Sequence, residues 1–297
     1  MKVFMRLIKR NTKLFFKDKG MFFTSLITPA ILLVLYATFL AGIYKDAFML
    51  NIPEGFSLPD KVIDGCVGGQ LFSSLLAVSS ITVSFCANFL MVQDRVTGAR
   101  ADLTMAPVKK STLALSYYIS TVLSTLIVCV FAMCACFVYL GIKGWYLSVT
   151  DILLLLTDVI LLVTFGTALS SIINYFLTTQ GQISAVGSIV SAGYGFICGA
   201  YMPISQFGEG LQAVLSFLPG TYGTALLKNH ALRGVFAEMS DLGLPEVAVQ
   251  AMKEGIDSSF TCLGTEVTTP VMFAVLVGAV VVLLGVYIAM NKFGKRK

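Results

Sequence analysis

The chain has 297 residues, of which 57% are hydrophobic and only 12% are charged. This length would make one or two soluble domains, but so few charges among so many apolar residues exclude an ordinary soluble protein. The formal net charge of +5 is divided between separate clusters of Lys and Arg, so the sequence predicts no nucleic-acid partner.

Six transmembrane helices are predicted from the distribution of charge. Five long stretches contain no Asp, Glu, Lys or Arg, namely residues 21–44, 65–93, 111–142, 159–208 and 267–291. About 20 apolar residues cross a bilayer as a helix, and the fourth stretch is too long for one crossing and has a polar break at Asn174–Gln182. We therefore expect an all-α integral membrane protein, a single domain over residues 1–297 with spans at residues 21–44, 67–92, 117–141, 151–173, 183–202 and 270–290.

The basic residues between these spans predict the orientation of the chain. They cluster at residues 2–19, 95–110 and 292–297, and basic residues in short flanks stay cytoplasmic. Both termini are therefore expected in the cytoplasm, which an even number of spans also requires. The first uncharged run is longer than the apolar core of a cleaved signal, and a Lys-rich start favours a bacterial cell membrane over an organelle.

Residues 2–20 have the pattern of an amphipathic helix. Apolar residues such as Val3, Leu7 and Phe15 recur at helical spacing, and basic residues such as Lys9 and Lys13 occupy the other side. Such a helix is suited to the inner headgroup layer. It is either an anchor for the first span alone or also a docking surface.

Small and weakly polar residues form a stripe on the second span and another on the fifth. In the second span they are Ser73, Ala77, Ser80, Ser84 and Asn88, and in the fifth they are Ser184, Ser188, Ser191, Gly195 and Gly199. Residues of this kind let helices approach closely, and they can equally line a hydrated path. The two interpretations are compatible if these helices form an interface that opens.

The loop at residues 94–110 lies on the basic side and is longer than a turn. It combines charges of both signs with Gly98 and Pro107. The loop is either a solvated connector or a contact surface for a cytoplasmic partner, in the latter case as a short helix parallel to the membrane.

Asp158 lies well inside the predicted fourth span. A carboxylate at such a position faces protein or water and is a candidate for function by default. Three interpretations stay open: a hydrogen bond to another helix, a role in transport or proton coupling, and a misplaced span boundary. The helix itself offers no ion partner, and the one histidine of the chain, His230, is expected in a loop.

Residues 203–268 are predicted to form re-entrant helices followed by an extracellular segment. Six residues would interrupt a spanning helix here, namely Pro203, Gly208, Gly210, Pro219, Gly220 and Gly223. Broken helices that enter the membrane and return fit this pattern, provided that protein surrounds the open backbone. Cys66 and Cys262 both fall on the predicted outer side and could form a disulfide, although sequence does not give their separation.

The sequence lacks the motifs of several kinds of enzyme. It contains no G-x-x-x-x-G-K-[ST] phosphate-binding loop, so we expect that it does not hydrolyse ATP by itself. One histidine and no Cys-x-x-Cys pair are too little for a zinc site. We expect no cofactor or metal bound by this chain.

The order of these features resembles the ABC-2 type permease subunits of ATP-binding-cassette exporters. The shared features are a basic amphipathic start, six spans, a charged loop QDRVTGARADLTMAPV after the second span and a segment MPISQFGEGLQAVLSFLPGTYGTALL before the last. The resemblance implies a second permease subunit, identical or different, and two separate ATPase subunits that bind ATP and Mg. It leaves the cargo open between drug, lipid-like, peptide and saccharide.

The resemblance also implies roles for particular residues. The N-terminal helix and the loop at residues 94–110 would couple to the ATPase, with Asp94, Arg95, Arg100 and Asp102 as the contacts. The second and fifth spans would face the partner permease, so that the translocation path is lined by Ser80, Ser84, Asn88, Ser188 and Ser191. Residues 203–227 would form an outer gate. A proton-coupled secondary transporter that uses Asp158 is the alternative function.

Overall fold

Helices make up most of the computed structural model, which describes residues 2–50, 52–53, 56–105, 108–259, 261–262 and 265–293. The helices are α1 (Lys2–Lys17), α2 (Lys19–Leu35), α3 (Ala41–Leu50), α4 (Asp60–Asn88), α5 (Leu90–Val96), α6 (Ala99–Met105), α7 (Lys110–Lys143), α8 (Val149–Phe176), α9 (Gln180–Ile197), α10 (Glu209–Ser216), α11 (Pro219–Asp241), α12 (Glu246–Gly255) and α13 (Thr269–Phe293). A π-helical turn (Tyr36–Leu40) joins α2 to α3, and a 3-10 turn (Ile204–Gln206) precedes α10. Two short antiparallel strands, β1 (Thr261–Cys262) and β2 (Thr265–Glu266), precede α13.

Five helical stretches of the described chain are long and apolar enough to cross a membrane. They are Lys19–Asp46, Asp60–Val96, Lys110–Lys143, Val149–Phe176 and Thr269–Phe293, and they contain five of the six predicted spans. The remaining prediction, at residues 183–202, corresponds to α9, which has 18 residues and starts with the polar side chains of Gln180 and Gln182. The number of spans that length and composition support is therefore five, and α9 is a shorter, more polar helix.

Helix α4 lies at the centre of the molecule. Its most apolar part is completely buried, because the helix is surrounded by α2, α7, α8, α9 and α11. Glycine permits two of these contacts: a Cβ on Gly68 would lie 2.7 Å from Leu140, and one on Gly69 would lie 2.5 Å from Leu232. Small residues on α4 therefore serve close helix packing.

The break between α8 and α9 has a local cause. α8 ends at Phe176, and the next three residues are extended or bent. Thr179 then caps α9: its hydroxyl accepts from the Gln182 main-chain N–H, and the Gln182 side chain accepts from the Thr179 main-chain N–H. This reciprocal capping box satisfies two helix-end donors, and it lies within the predicted break at Asn174–Gln182.

Between residues 203 and 223 the helices are broken at fewer places than expected. Breaks occur around Pro203, Gly208 and Phe217, and Pro219 occupies the first turn of α11, where proline is tolerated. The prediction that Gly210 interrupts a helix is wrong, because this residue lies inside α10. It is also wrong for Gly220 and Gly223, because α11 runs through both. A Cβ on Gly220 would lie too close to the Tyr194 hydroxyl, and a Cβ on Gly223 would lie too close to the Leu162 side chain. Gly220 and Gly223 therefore permit close helix packing.

Of the two cysteines that were predicted to form a disulfide, the structure describes the side chain of Cys66 only. Cys66 is a free thiol buried in α4. The side chain of Cys262 lies outside the described part of the chain.

Candidate functional site

A cavity of about 670 Å³ lies between α2, α3 and α9. Its walls are apolar side chains such as Ile31 and Phe39, together with Ser188 and Ser191 of α9. Ile31 and Phe39 are half exposed, because none of the described helices covers this side of α2. The cavity is therefore an open recess in the surface of the helix bundle.

A second cavity of about 560 Å³ continues the first towards the end of the molecule that carries α1, α5 and α6. The two share Ile27, Thr28, Ser188 and Ser191. We call the combined space the α2–α9 groove and the end with α1, α5 and α6 the basic end.

The α2–α9 groove changes in polarity along its length. At the basic end it is lined by Asp18, Gln93, Gln180 and Ser184. At the opposite end it is mostly apolar and is closed by a roof, which consists of residues 201–203 and Gln206 from the α9–α10 connection and of Met252, Gly255 and Ile256 from the end of α12. Among the described lining residues, Asp18 alone carries a charge.

Helix α11 holds this roof in place. The buried Lys228 Nζ donates to the main-chain carbonyl oxygens of Gly199, at 2.8 Å, and Ile256, at 2.6 Å. Asn229 Nδ2 donates to the carbonyl oxygen of Ser258. Ile256 of the roof, and Gly199 two residues before its other side, are thus bound to Lys228 of α11.

The next residues of α11 bind the two buried carboxylates of α8. His230 Nδ1 lies 2.5 Å from Asp158 Oδ2, and Arg233 Nε lies 2.7 Å from Asp151 Oδ1. Asp151 and Asp158 are each about 1% exposed. A buried charge needs such a partner, so α11 links α8 to the roof of the groove.

An ion pair joins α1 to the bundle at the basic end. Arg10 Nη1 and Nη2 donate to the two carboxylate oxygens of Asp94, at 2.5 and 3.0 Å, and Tyr117 Oη of α7 donates to Asp94 Oδ2 at 2.5 Å. The hydrogen bond with Asp94 raises the pKa of Arg10 above its ordinary value. Bidentate Arg–carboxylate pairs are strong and directional, so α1 is held in one orientation.

The other charges of the loop at residues 94–110 point in different directions. Arg95 Nη1 donates to the carbonyl oxygens of Tyr175, at 3.2 Å, and Leu177, where it satisfies the end of α8. Arg100 is half-buried and Asp102 is exposed, both on α6. Met105, at the end of α6, is 87% exposed, so α6 presents an uncovered surface.

A comparison with protein families shows which family the chain belongs to. The family model described as ABC-2 family transporter protein matches residues 48–287. The chain belongs to the ABC-2 transporter family. No individually curated protein matches it. The predicted resemblance is confirmed, and membership makes the chain a membrane subunit for transport, in a family that works with a separate ABC ATPase.

In this ABC-2 protein the residues predicted to line the translocation path lie in two different environments. Ser80, Ser84 and Asn88 of α4 are buried inside the protomer. Asn88 Nδ2 donates to the hydroxyls of Ser170 and Ser171, both at 2.9 Å. For these residues the close-packing interpretation fits, and the expectation that the second span faces a partner permease does not, because helices of the same chain enclose α4.

Ser188 and Ser191 of the fifth predicted span line the α2–α9 groove of the ABC-2 chain. Ser188 is exposed and Ser191 is half-buried. The three serines of this stripe, Ser184, Ser188 and Ser191, therefore face a cavity, whereas the stripe on α4 faces neighbouring helices.

Several residues that bind the buried carboxylates were not identified from the sequence. Arg10 and Tyr117, the partners of Asp94, lie on other helices. His230 was expected in a loop, but it is buried on α11 as the partner of Asp158. A polar cluster at residues 228–230 and 233, within the otherwise apolar residues 225–236, is the signal that could have revealed α11.

Proposed function

We propose that this chain is the permease subunit of an ATP-driven exporter in a bacterial cell membrane, with six spans, both termini cytoplasmic and the α2–α9 groove as its share of the translocation path. The groove supports this: it runs between two helices whose outer faces are uncovered, and it is open along its side and roofed at one end. In this arrangement the basic end is cytoplasmic and the roof is the outer gate. α9 makes the fifth crossing and α13 the sixth, and α10 with α11 forms the re-entrant pair between them.

The second permease subunit, identical or different, covers the α2–α9 groove and completes the path. This replaces the expected interface through the second span. Uncharged lining beyond Asp18 favours apolar cargo over a saccharide, because a sugar needs many polar partners.

ATP and Mg bind in the separate ATPase subunits. These subunits meet the exposed face of α1 together with α6, where Asp102 is exposed and Arg100 retains a buried Nη1 without a hydrogen-bond partner among the described residues. Asp94 and Arg95 act behind this surface, because their side chains bind Arg10 and the end of α8. Nucleotide binding shifts the population between inward-open and outward-open states.

The test measures access to the groove, which needs no knowledge of the cargo. Ser191→Cys is made in a Cys134→Ala background, because Cys134 is the exposed native thiol among the described residues. The complex with its ATPase is labelled in inside-out vesicles with a charged maleimide. We expect the labelling rate to change at least severalfold when ATP and Mg are added.

The matched control is Ile288→Cys in the same background, a residue of α13 that is 47% exposed away from the groove. Its labelling rate should not depend on ATP. Equal rates at Ser191→Cys with and without ATP would contradict the proposal.

A proton-coupled transporter is the second candidate, and the buried Asp158–His230 pair favours it. In that case the labelling rate at Ser191→Cys should respond to a protonophore rather than to ATP. Asp158→Asn should then abolish this response while ATP hydrolysis by the partner is unchanged.

A further inference from the structure

A second groove lies on the other side of α2, separate from the α2–α9 groove. It has a volume of about 620 Å³ and is bounded by α2, α4 and α7. Its lining is almost entirely apolar, with side chains such as Leu26, Leu33, Leu75 and Phe131. We call it the α2–α7 groove.

The length of the α2–α7 groove matches one leaflet of a bilayer. On α2 its lining extends from Phe22 to Leu33, which corresponds to about 16 Å of helix. The hydrocarbon core of a bilayer is about 30 Å thick, so one leaflet contributes about 15 Å. An acyl chain of a single leaflet would therefore fill the groove along its length.

Basic side chains stand at the end of this groove where α1 begins to cover it. Phe16 of α1 lines the groove. Lys13 precedes Phe16 by three residues and Lys17 follows Lys13 by four, so these residues are neighbours on one helix face. Lys13, Phe16 and Lys17 are all exposed, and neither lysine forms an ion pair with any described residue.

We propose that the α2–α7 groove binds one anionic phospholipid, with an acyl chain between α2 and α7 and the phosphate at Lys13 and Lys17. The charge decides this occupant: unpaired ammonium groups beside an apolar groove complement a phosphate attached to an acyl chain. A second copy of the chain is disfavoured, because it would bring the same basic α1 to the same end of the membrane. The bound lipid connects α1 to α7, and it leaves the α2–α9 groove free.

The test is native mass spectrometry of the purified, delipidated full-length chain in detergent. Equal amounts of dioleoyl phosphatidylglycerol and dioleoyl phosphatidylcholine are added, and the first lipid adducts are compared. The wild-type chain should prefer phosphatidylglycerol. Lys13→Gln/Lys17→Gln should lower this preference by about tenfold or more, because each lysine near an anionic lipid contributes severalfold to binding.

Matched variants separate the two halves of the site. Lys2→Gln/Arg6→Gln removes the same charge from exposed positions of α1 that lie about 16 Å further along the helix from the groove, and it should keep the lipid preference. Ala135→Phe fills the groove and should weaken the binding of both lipids. Cys134→Phe adds the same ring at an exposed neighbour that does not line the groove, and it should have no effect.

Four results would overturn the proposal. The first is equal binding of both lipids to the wild-type chain. The second is an equal loss of preference in the two charge variants, which would indicate general attraction rather than a site. The third is displacement of the lipid by free glycerophosphate, which would mean that the groove contributes nothing. The fourth, measured on the complex with its ATPase, is loss of the ATPase subunit from Lys13→Gln/Lys17→Gln with unchanged lipid binding, which would assign these lysines to ATPase docking instead.

Discussion

Asp158 shows how a single buried residue depends on its partner. Its carboxylate is about 1% exposed, and the His230 ring nitrogen lies 2.5 Å away. No other described basic residue forms an ion pair with it. The cost of burying the carboxylate is therefore offset by one imidazole.

We expect His230→Ala to destabilise the protein strongly. Removing one member of a buried pair leaves the other uncompensated, which typically costs about 3–5 kcal/mol. The measurement is the midpoint of heat denaturation of the purified chain in detergent, which should fall clearly. Asp158→Asn/His230→Ala should recover part of the loss, because no carboxylate is then left without its imidazole.

The exposed Asp102 provides the control for this cycle. Asp102→Asn should leave the midpoint unchanged, since its carboxylate has no described partner to lose. If the single variants at positions 158 and 230 have independent, additive effects, the pair does not stabilise the fold.

At this scale the sequence identified one member of each pair. Asp158 stands out because a carboxylate in an apolar stretch is rare. Its partner lies 72 residues later, and nothing local relates the two positions. The same holds for Asp94, whose partner Arg10 is 84 residues away.

Helix α11 is the element that sequence reasoning described least well. Gly220 and Gly223 suggested breaks, but the glycines of this helix permit contacts with neighbouring segments. Gly234 is the clearest case, because a Cβ there would overlap the main-chain carbonyl oxygen of Tyr146. This close approach lets the connection between α7 and α8 pack against α11.

We expect Gly234→Ala to displace α11 from this connection. Overpacking typically costs about 1–3 kcal/mol, and a main-chain atom cannot rotate away as a side chain can. The heat-denaturation midpoint should fall. Gly278→Ala on α13 is the matched control, because nothing lies within 4 Å of the added Cβ. A Gly234→Ala variant as stable as Gly278→Ala would show that the connection yields easily.

The apolar stretches predicted the long helices well and their arrangement poorly. A run without charges is enough to form a spanning helix, because lipid leaves no other way to satisfy the backbone. Periodicity does not say which neighbour a face meets, since a stripe of small residues suits both packing and a cavity. The stripe on α4 proved to be packing, whereas Ser188 and Ser191 on α9 line a groove.

On the scale of the whole molecule, three connections follow one another from the basic end to the roof. The Arg10–Asp94 pair joins α1 to α5. α5 continues from α4, which packs against α8 and α11, and α11 holds the roof through Lys228. A movement applied to α1 by an ATPase would therefore reach the roof through contacts between rigid helices.

We expect Arg10→Ala to uncouple the two ends of this chain of contacts. The variant should still bind the ATPase, because the exposed face of α1 is unchanged. The ATP-dependent change in labelling at Ser191→Cys should be largely lost, because α1 no longer holds Asp94. Lys9→Ala, an exposed neighbour on the same helix, should keep the response. The charge swap Arg10→Asp/Asp94→Arg should restore part of it, since it rebuilds the pair in the opposite sense. A normal response in Arg10→Ala would mean that the movement reaches the groove by another route, through α6 and the end of α8.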